Sequence, residues 1–332
     1  MSLLLDRLAS IPEAEVPLTP EIEDGMADSV RYLESDAALR SLGEDTYWPK
    51  WHSPWWHMVT LWELGEARRI PEPAQRAMID GLNALPIKIF PIKPADTPPG
   101  VDAHRGSSCH CALGTIYQVL AACGCDLDRE LPWAKPWFLR YQMADGGLTC
   151  DGAAYLTDEC PSSMVGTIAP FEAMLLGTWS PEQRAFLERG AAFLSGRELT
   201  RGSDTVFNAE ERDAARAWVM PCFPRLYFYD VLRGARALVR WAELGGTLAA
   251  ARPLTGVVRH LIDAFPDGIV RIQRRSFEGP TTIARGADGT WHREQASRFP
   301  LLDATSIVGA PSTVLTRQWS EIRKTIARLA LA

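Results

Sequence analysis

Apolar residues recur at helical spacing along most of this chain, and glycine or proline interrupts the pattern at short intervals. The segment 109–123, for example, carries Leu113, Ile116 and Leu120 and ends before Gly124. Only the short apolar run at 269–272 suggests a strand. The pattern therefore predicts an all-α protein of about ten to twelve helices. Stacked helix pairs lose their exposed ends when the array closes, so we expect a single (α/α) toroid around an aromatic-lined central cavity.

The expected domain organisation is a leader over residues 1–20 followed by one toroid domain over residues 21–332. Thr19 is placed to cap a helix whose first residue is Pro20. A hydrophobic content of 46% is enough for a large core, and the chain contains twelve tryptophans. Tryptophan offers a large apolar area with one polar atom, so some of these rings are expected to line the cavity.

Charge and composition exclude several classes of function. The net charge of −6 gives no basic footprint for nucleic acid. No apolar run approaches the roughly 20 residues of a membrane span, and no basic segment precedes the apolar patch at residues 3–5, so no signal peptide is expected. Seven cysteines without a small-scaffold pattern indicate reduced thiols. These features favour a cytoplasmic protein and leave its oligomeric state open.

The densest set of reactive side chains lies in the stretch 137–177. A helix carrying Trp137 is followed by a sharp turn at 145–147, then by a polar loop that contains Cys150, Asp151 and Cys160. Loops that join helices on a rigid scaffold often carry binding and catalytic residues. We therefore expect the chemistry of the protein to lie here.

The same stretch resembles the repeat of the prenyltransferase and squalene–hopene cyclase superfamily, in its uncharacterised bacterial branch. The repeat of that superfamily reads roughly Gln-x-x-Asp-Gly-Gly-Trp. Here Gln142 is followed by Asp145-Gly146-Gly147, with Leu148 where an aromatic residue is usual. Weaker similarities are present at 51–65, 226–233, 287–291 and 309–316. The resemblance implies a toroid with a deep apolar pocket and an isoprenoid-like substrate.

A second set of residues offers soft metal ligands. It comprises His104, Cys109, His110, Cys111, Cys150 and Cys160. Such side chains could converge on zinc. Protein prenyltransferases of the resembling fold hold zinc with aspartate, cysteine and histidine, but their histidine position falls near Val165 here, which cannot ligate. Cys109-His110 also resembles the pair in zinc-bearing lanthionine synthetase cyclases. The sequence thus predicts no required cofactor, with a zinc-dependent thiol-alkylating or cyclising enzyme as an alternative.

The order of His110, Cys150 and Cys160 is similar to that of linalool dehydratase–isomerases, with Asp45 and Tyr47 as an early acid and phenol. A thiol or carboxyl buried in an apolar cavity stays protonated near neutrality and is a competent general acid. The expected function is acid–base chemistry on an apolar small molecule, by cyclisation, isomerisation or dehydration. A non-catalytic toroid that binds a lipid or a protein is the rival.

The candidate residues divide into two groups. The candidate catalytic residues are Asp45, His110, Cys150, Asp151, Cys160 and Asp230. The candidate substrate-binding residues are Tyr47, Trp51, Trp55, His104 and Tyr229. Asp230 lies within an apolar run, where an unpaired charge is costly. It is expected either to face the cavity or to pair with Arg233 or Arg236 on the same helix.

Overall fold

The computed structural model describes residues 2–47, 53–90, 94–101, 106–156, 162–203, 209–247, 252–276, 281–285 and 290–330. The chain is mainly helical, with 59% of residues in helices and 4% in strands, which confirms the predicted all-α class. The fifteen α-helices of the described residues outnumber the ten to twelve that the sequence predicts. None of these helices combines the length and the apolar composition needed to cross a membrane.

The elements follow one another in a simple order. The α-helices are α1 (Ser2–Ser10), α2 (Pro20–Leu33), α3 (Asp36–Glu44), α4 (Trp55–Glu63), α5 (Glu72–Ala84), α6 (His110–Cys123), α7 (Leu127–Glu130), α8 (Ala134–Tyr141), α9 (Met164–Met174), α10 (Pro181–Gly196), α11 (Ala209–Ala215), α12 (Val231–Glu243), α13 (Arg252–Ala264), α14 (Pro300–Thr305) and α15 (Thr313–Ala330). Short 3-10 helices lie at Ala67–Arg69, Pro94–Asp96 and Gly152–Leu156. An antiparallel hairpin is formed by β1 (Thr281–Arg285) and β2 (Trp291–Gln295).

Several helices begin where the sequence predicts, because a side chain caps the first turn. The Thr19 hydroxyl accepts a hydrogen bond from the backbone N–H of Ile22, and Pro20 opens α2. Ser180 and Gln183 form a reciprocal capping box at the start of α10. Both arrangements satisfy backbone N–H groups that have no partner inside the helix.

The first twenty residues contribute to the core. Helix α1 packs against α13 and α15, and Leu8 and Ile11 are buried. The Arg323 guanidinium of α15 donates to the backbone carbonyl of Ile11 at 2.8 Å. Arg7 forms an ion pair with Asp263 of α13. The segment predicted as a leader is thus packed against the last helices of the chain.

Helices α4, α6, α9, α12 and α15 form a series in which each helix contacts the next. Helix α6 packs against α4 and α9, and α12 packs against α9 and α15. The approach of α6 to α9 is especially close, because a Cβ atom added to Gly114 would lie 2.5 Å from the backbone nitrogen of Pro170. Gln118, one turn further along α6, donates to the carbonyl oxygen of Ala169 at 3.1 Å. These contacts fix the separation of the two helices.

The strand predicted at 269–272 is not formed, and the two strands of the described residues lie at β1 and β2. The segment instead pairs with residues 309–312, just before α15, through an isolated antiparallel bridge between Arg271 and Pro311. The Ile272 N–H donates to the Ala310 carbonyl at 3.0 Å, and the Val270 carbonyl accepts from the Ser312 N–H at 2.9 Å. The apolar run therefore reflects a single bridge that does not extend into a regular strand.

We predict that Gly114→Ala lowers the free energy of unfolding by about 1–3 kcal/mol, because the new methyl group overlaps the backbone of α9. The matched control is Gly256→Ala in α13, where no atom lies within 4 Å of the added Cβ. That change should stabilise the protein by about 0.5–1 kcal/mol, since alanine is the better helix former. Urea unfolding followed by circular dichroism measures both. Equal effects of the two substitutions would contradict the close approach of α6 and α9.

Candidate functional site

Three cysteines converge at the start of α6, and we refer to Cys109, Cys111 and Cys150 as the thiol cluster. Their three sulfur atoms lie within 4.8 Å of one another, and the Cys109 and Cys111 sulfurs are 3.4 Å apart. Cys111 is buried, whereas Cys109 and Cys150 are partly exposed. The cluster can therefore be reached from outside the core.

Local structure brings Cys150 to the helix. Leu148 and Ser163 pair as an isolated antiparallel bridge, and the Leu148 N–H donates to the Thr167 hydroxyl of α9 at 2.8 Å. This anchors the loop that carries Cys150 beside the first turn of α6. There the Cys111 N–H donates to the Cys150 sulfur at 3.4 Å. A sulfur atom thus occupies a position where a helix presents unpaired N–H groups.

The surroundings keep the Cys111 and Cys150 thiols protonated when no cation is near. Hydrogen bonding with the Cys109 thiol is the largest cause that raises the pKa of each, and burial raises both further. A bound metal ion reverses this effect, because a coordinating thiol is deprotonated. With zinc–sulfur bonds of about 2.3 Å, tetrahedral geometry places ligand sulfurs about 3.8 Å apart. The observed separations of the cluster lie around that value, so the three side chains fit a soft metal ion.

His110 lies between two of these cysteines, and both of its ring nitrogens have protein partners. The Trp137 indole N–H donates to Nδ1 at 3.0 Å, so Nδ1 carries no proton. In the neutral ring Nε2 is then protonated and donates to the Tyr155 hydroxyl oxygen at 3.1 Å. That hydroxyl donates in turn to the Tyr141 carbonyl at 2.9 Å and accepts from the Thr149 N–H at 3.3 Å. Each of these four hydrogen bonds therefore has one donor and one acceptor.

Burial lowers the pKa of His110 to about 4, so the ring is neutral at physiological pH. Phe90 packs edge-on against the ring at 4.8 Å between centroids. In this structure, therefore, His110 orders the start of α6 and the loop of Cys150 by hydrogen bonding to Trp137 and Tyr155. The His110 ring is directed to these two aromatic residues and is not among the ligand atoms that converge with the Cys150 sulfur.

Aromatic side chains adjoin the thiol cluster. Tyr47 lies 5.6 Å from Trp55 and 6.4 Å from Tyr227, measured between ring centroids. Burial, followed by the neighbouring Tyr227 and the Cys109 and Cys111 thiols, raises the pKa of Tyr47 well above its ordinary value. Tyr47 thus lies between the rings of Trp55 and Tyr227 and the thiols, and its phenol stays neutral.

Two predicted acids near this region have different surroundings. Asp45 is largely buried, and its carboxylate accepts from the Tyr47 backbone N–H at 2.9 Å. Asp151 is exposed, and its N–H donates to the Thr149 hydroxyl at 3.3 Å. Asp45 therefore adjoins the aromatic group, whereas Asp151 follows Cys150 on the outer side of the loop.

Asp230 is fully buried and caps α12. Its carboxylate accepts from the Arg233 backbone N–H at 2.8 Å, the Arg225 Nε at 2.8 Å and the Cys222 N–H at 3.1 Å. Burial alone would raise the pKa of Asp230, but the Arg225 guanidinium outweighs it and the pKa is lowered. The expected partners Arg233 and Arg236 were wrong: the ion pair is with Arg225, because Asp230 precedes the helix instead of lying on its face.

Tyr229 is buried, and its contacts are with residues outside the thiol cluster. Its hydroxyl donates to the Leu199 carbonyl at 2.9 Å, and its ring packs edge-on against Trp218 at 4.9 Å. The three remaining candidates, Trp51, His104 and Cys160, lie outside the described residues. Sequence reasoning missed Tyr155, whose only signal was its position near Cys150 in the same loop.

Comparisons of the chain with protein-family models, with curated proteins and with solved structures give no match.

We predict that Tyr155→Phe lowers the free energy of unfolding by about 1–3 kcal/mol, because it leaves the buried His110 and Thr149 N–H groups without their acceptor. The matched control is Tyr32→Phe, since the Tyr32 hydroxyl makes no hydrogen bond with any residue of the described ranges. Thermal and urea unfolding measure the difference. A Tyr155→Phe variant as stable as the control would contradict the hydrogen-bond chain.

Asp230→Asn is expected to lower the free energy of unfolding by about 3–5 kcal/mol, because Arg225 is left as an unpaired buried charge. Asp213→Asn is the control, because its carboxylate is 80% exposed and the change should stay within about 0.5 kcal/mol. The Asp230 pKa is lowered on folding, so its contribution is present above the unfolded pKa and is lost as pH falls through the folded value. In the Asp230→Asn variant the free energy of unfolding should therefore fall less steeply as the pH is lowered. The same pH dependence of stability in the variant and the wild type would contradict the role of the ion pair.

Proposed function

We propose that the protein is an enzyme that acts on an apolar small molecule. We propose further that its catalytic centre is a zinc ion held by the thiol cluster. The observation that carries the proposal is the convergence of three cysteine sulfurs within 4.8 Å. The proposal includes the (α/α) toroid, which the successive contacts of α4, α6, α9, α12 and α15 support.

The donor set favours zinc over harder cations. Thiolates are soft ligands, and Mg²⁺ and Ca²⁺ prefer oxygen. Catalytic zinc sites commonly use three protein ligands and leave the fourth position to water or substrate. When bound, zinc would supply Lewis-acid chemistry and an activated water or thiol. The partial exposure of Cys109 and Cys150 gives such a fourth ligand access.

Aromatic residues of the chain would lie beside the zinc centre. The rings of Tyr47, Trp55 and Tyr227 pack against one another, and Trp55 and Tyr227 are buried. Tyr47 keeps its proton, because burial raises its pKa. His110 positions the cluster through Trp137 and Tyr155 without changing its own protonation near neutral pH.

Metal-free acid–base catalysis is a second candidate. It is favoured by the raised pKa of Cys150, which keeps a partly exposed thiol protonated as a general acid. In that case the Cys150 proton would pass to a hydroxyl group that leaves as water, and the resulting thiolate would take a proton from the adjacent carbon, which forms a carbon–carbon double bond and restores the thiol. The two candidates differ in whether the resting protein contains a metal ion.

We predict about one zinc ion per chain in protein purified without chelators, measured by plasma mass spectrometry. Cys111→Ser should remove most of the metal, because it deletes the buried ligand of the cluster. Cys123→Ser is the matched control, since this thiol lies at the other end of α6 and hydrogen-bonds to the Ala67 carbonyl. Cobalt replacement should give a thiolate-to-cobalt charge-transfer band in the wild type and in the control only.

A chelator should lower the melting temperature of the wild type and leave Cys111→Ser unchanged, because only the folded state holds the ion. Metal-free protein with three reactive thiols at the cluster would overturn the zinc proposal and favour acid–base catalysis. Activity would then be compared between Cys150→Ser and Cys123→Ser on the small molecules that copurify with the chain. Binding without turnover in the wild type would favour a non-catalytic binding protein.

A further inference from the structure

A second site lies further along α6, in a cavity of about 210 Å³ that we call the charged cavity. Its lining includes Glu63 of α4, Gln118 of α6, Glu172 of α9, Arg233 of α12, Arg317 of α15 and Arg225 of the segment before α12. Among the described lining residues Trp62 is the only aromatic one. The cavity is therefore polar, unlike the aromatic-lined cavity that the sequence predicts.

The floor of the cavity is formed by buried ion pairs. Arg233 Nε and Nη2 both donate to one oxygen of Glu172, at 2.9 and 2.6 Å. Gln118 donates to the same carboxylate oxygen at 3.5 Å. Arg225 donates through Nε to Asp230 and through Nη1 to Gln318, each at 2.8 Å. Most polar atoms here thus have a partner.

Arg225 has one donor left over. Its side chain is 5% exposed, and its Nη2 is buried without an acceptor among the residues that the structure describes. A buried donor without a partner is costly, so native proteins usually supply one from protein, water or ligand. Because Arg225 lines the charged cavity, an acceptor that enters the cavity would be close to this group.

The charges of the lining favour an anionic acceptor. Glu172 is paired with Arg233, and Glu321 is 3.7 Å from Arg236 at the more exposed part of the lining. Arg317 is exposed and has no carboxylate within ion-pair distance in the described part of the chain. The remaining carboxylate, Glu63, accepts backbone N–H groups of Arg225 and Leu226. Burial raises the pKa of Glu63 to about 7, so it is often neutral at physiological pH.

We propose that the charged cavity binds a small oxyanion, the carboxylate or phosphate group of a compact ligand, between Arg225 and Arg317. Planar guanidinium groups match the oxygens of both anions, and Arg225 would complete its hydrogen bonds on binding. The cavity volume of about 210 Å³ leaves room for a phosphate or a short dicarboxylate. This inference is independent of the thiol cluster and of any metal.

Calorimetric titration of the full chain at low ionic strength tests the proposal, with inorganic phosphate and succinate as separate probes. We expect one of them to bind at a single site. Arg317→Gln should weaken that binding about tenfold or more, because it removes one charge-assisted contact. Arg317 is exposed, so this variant should remain folded. Binding of phosphate but not succinate would identify a phosphate ligand, and the reverse a carboxylate.

Arg225→Lys supplies a second test. Lysine keeps a positive charge for Asp230 but lacks the second terminal N–H group, so affinity should also fall about tenfold. The matched control is Arg216→Gln, an exposed arginine with 84% accessibility outside the cavity, which should bind like the wild type. No saturable heat with either probe, or equal weakening by Arg216→Gln and Arg317→Gln, would overturn the proposal. Circular dichroism separates a misfolded Arg225→Lys variant from a folded one that does not bind.

Discussion

The close approach of α6 to α9 is the constraint on which both sites depend. Gly114 permits it, because any side chain there would overlap the backbone of Ala169 and Pro170. Cys111 lies three residues before this contact and Gln118 lies four residues after it, so the two sites are about 10 Å apart along the helix. Helix α9 contributes Thr167 to the loop of the cysteines and Glu172 to the charged cavity. A change in the separation of these helices would therefore alter both sites together.

The buried ion pairs determine how the segment before α12 is folded. Removing charged groups from water is costly, and the cost is recovered only if their hydrogen bonds are complete. Asp230 meets this requirement by capping α12 and pairing with Arg225, and Glu63 meets it by accepting the N–H groups of Arg225 and Leu226. The Arg225 Nε and Nη1 are thus used, and Nη2 is buried without an acceptor among the described residues. The unused donor in the charged cavity is thus a consequence of the fold.

Local signals predicted the elements well and the contacts poorly. The sequence places a helix over 109–123, and the structure has it at His110–Cys123, because its apolar spacing and the glycine that ends it are encoded locally. It also places reactive cysteines on the loop before α9 and at the start of α6. It could not identify Glu63 as a partner of Arg225, since 162 residues separate them. The apolar run at 269–272 pairs with residues 309–312 through one isolated bridge, and the apolar pattern could not show that the pairing stops there.

The two sites differ in chemistry because they occupy different parts of α6. At the first turn the backbone N–H groups have no partner within the helix, so they can hydrogen-bond to an acceptor outside it. The contact between the Cys111 N–H and the Cys150 sulfur uses this property. Two turns later every backbone N–H is already bonded within the helix, and negative charge can be balanced only by side chains. The Arg233 guanidinium therefore pairs with Glu172 beside this part of α6, whereas thiols gather at the start of the same helix.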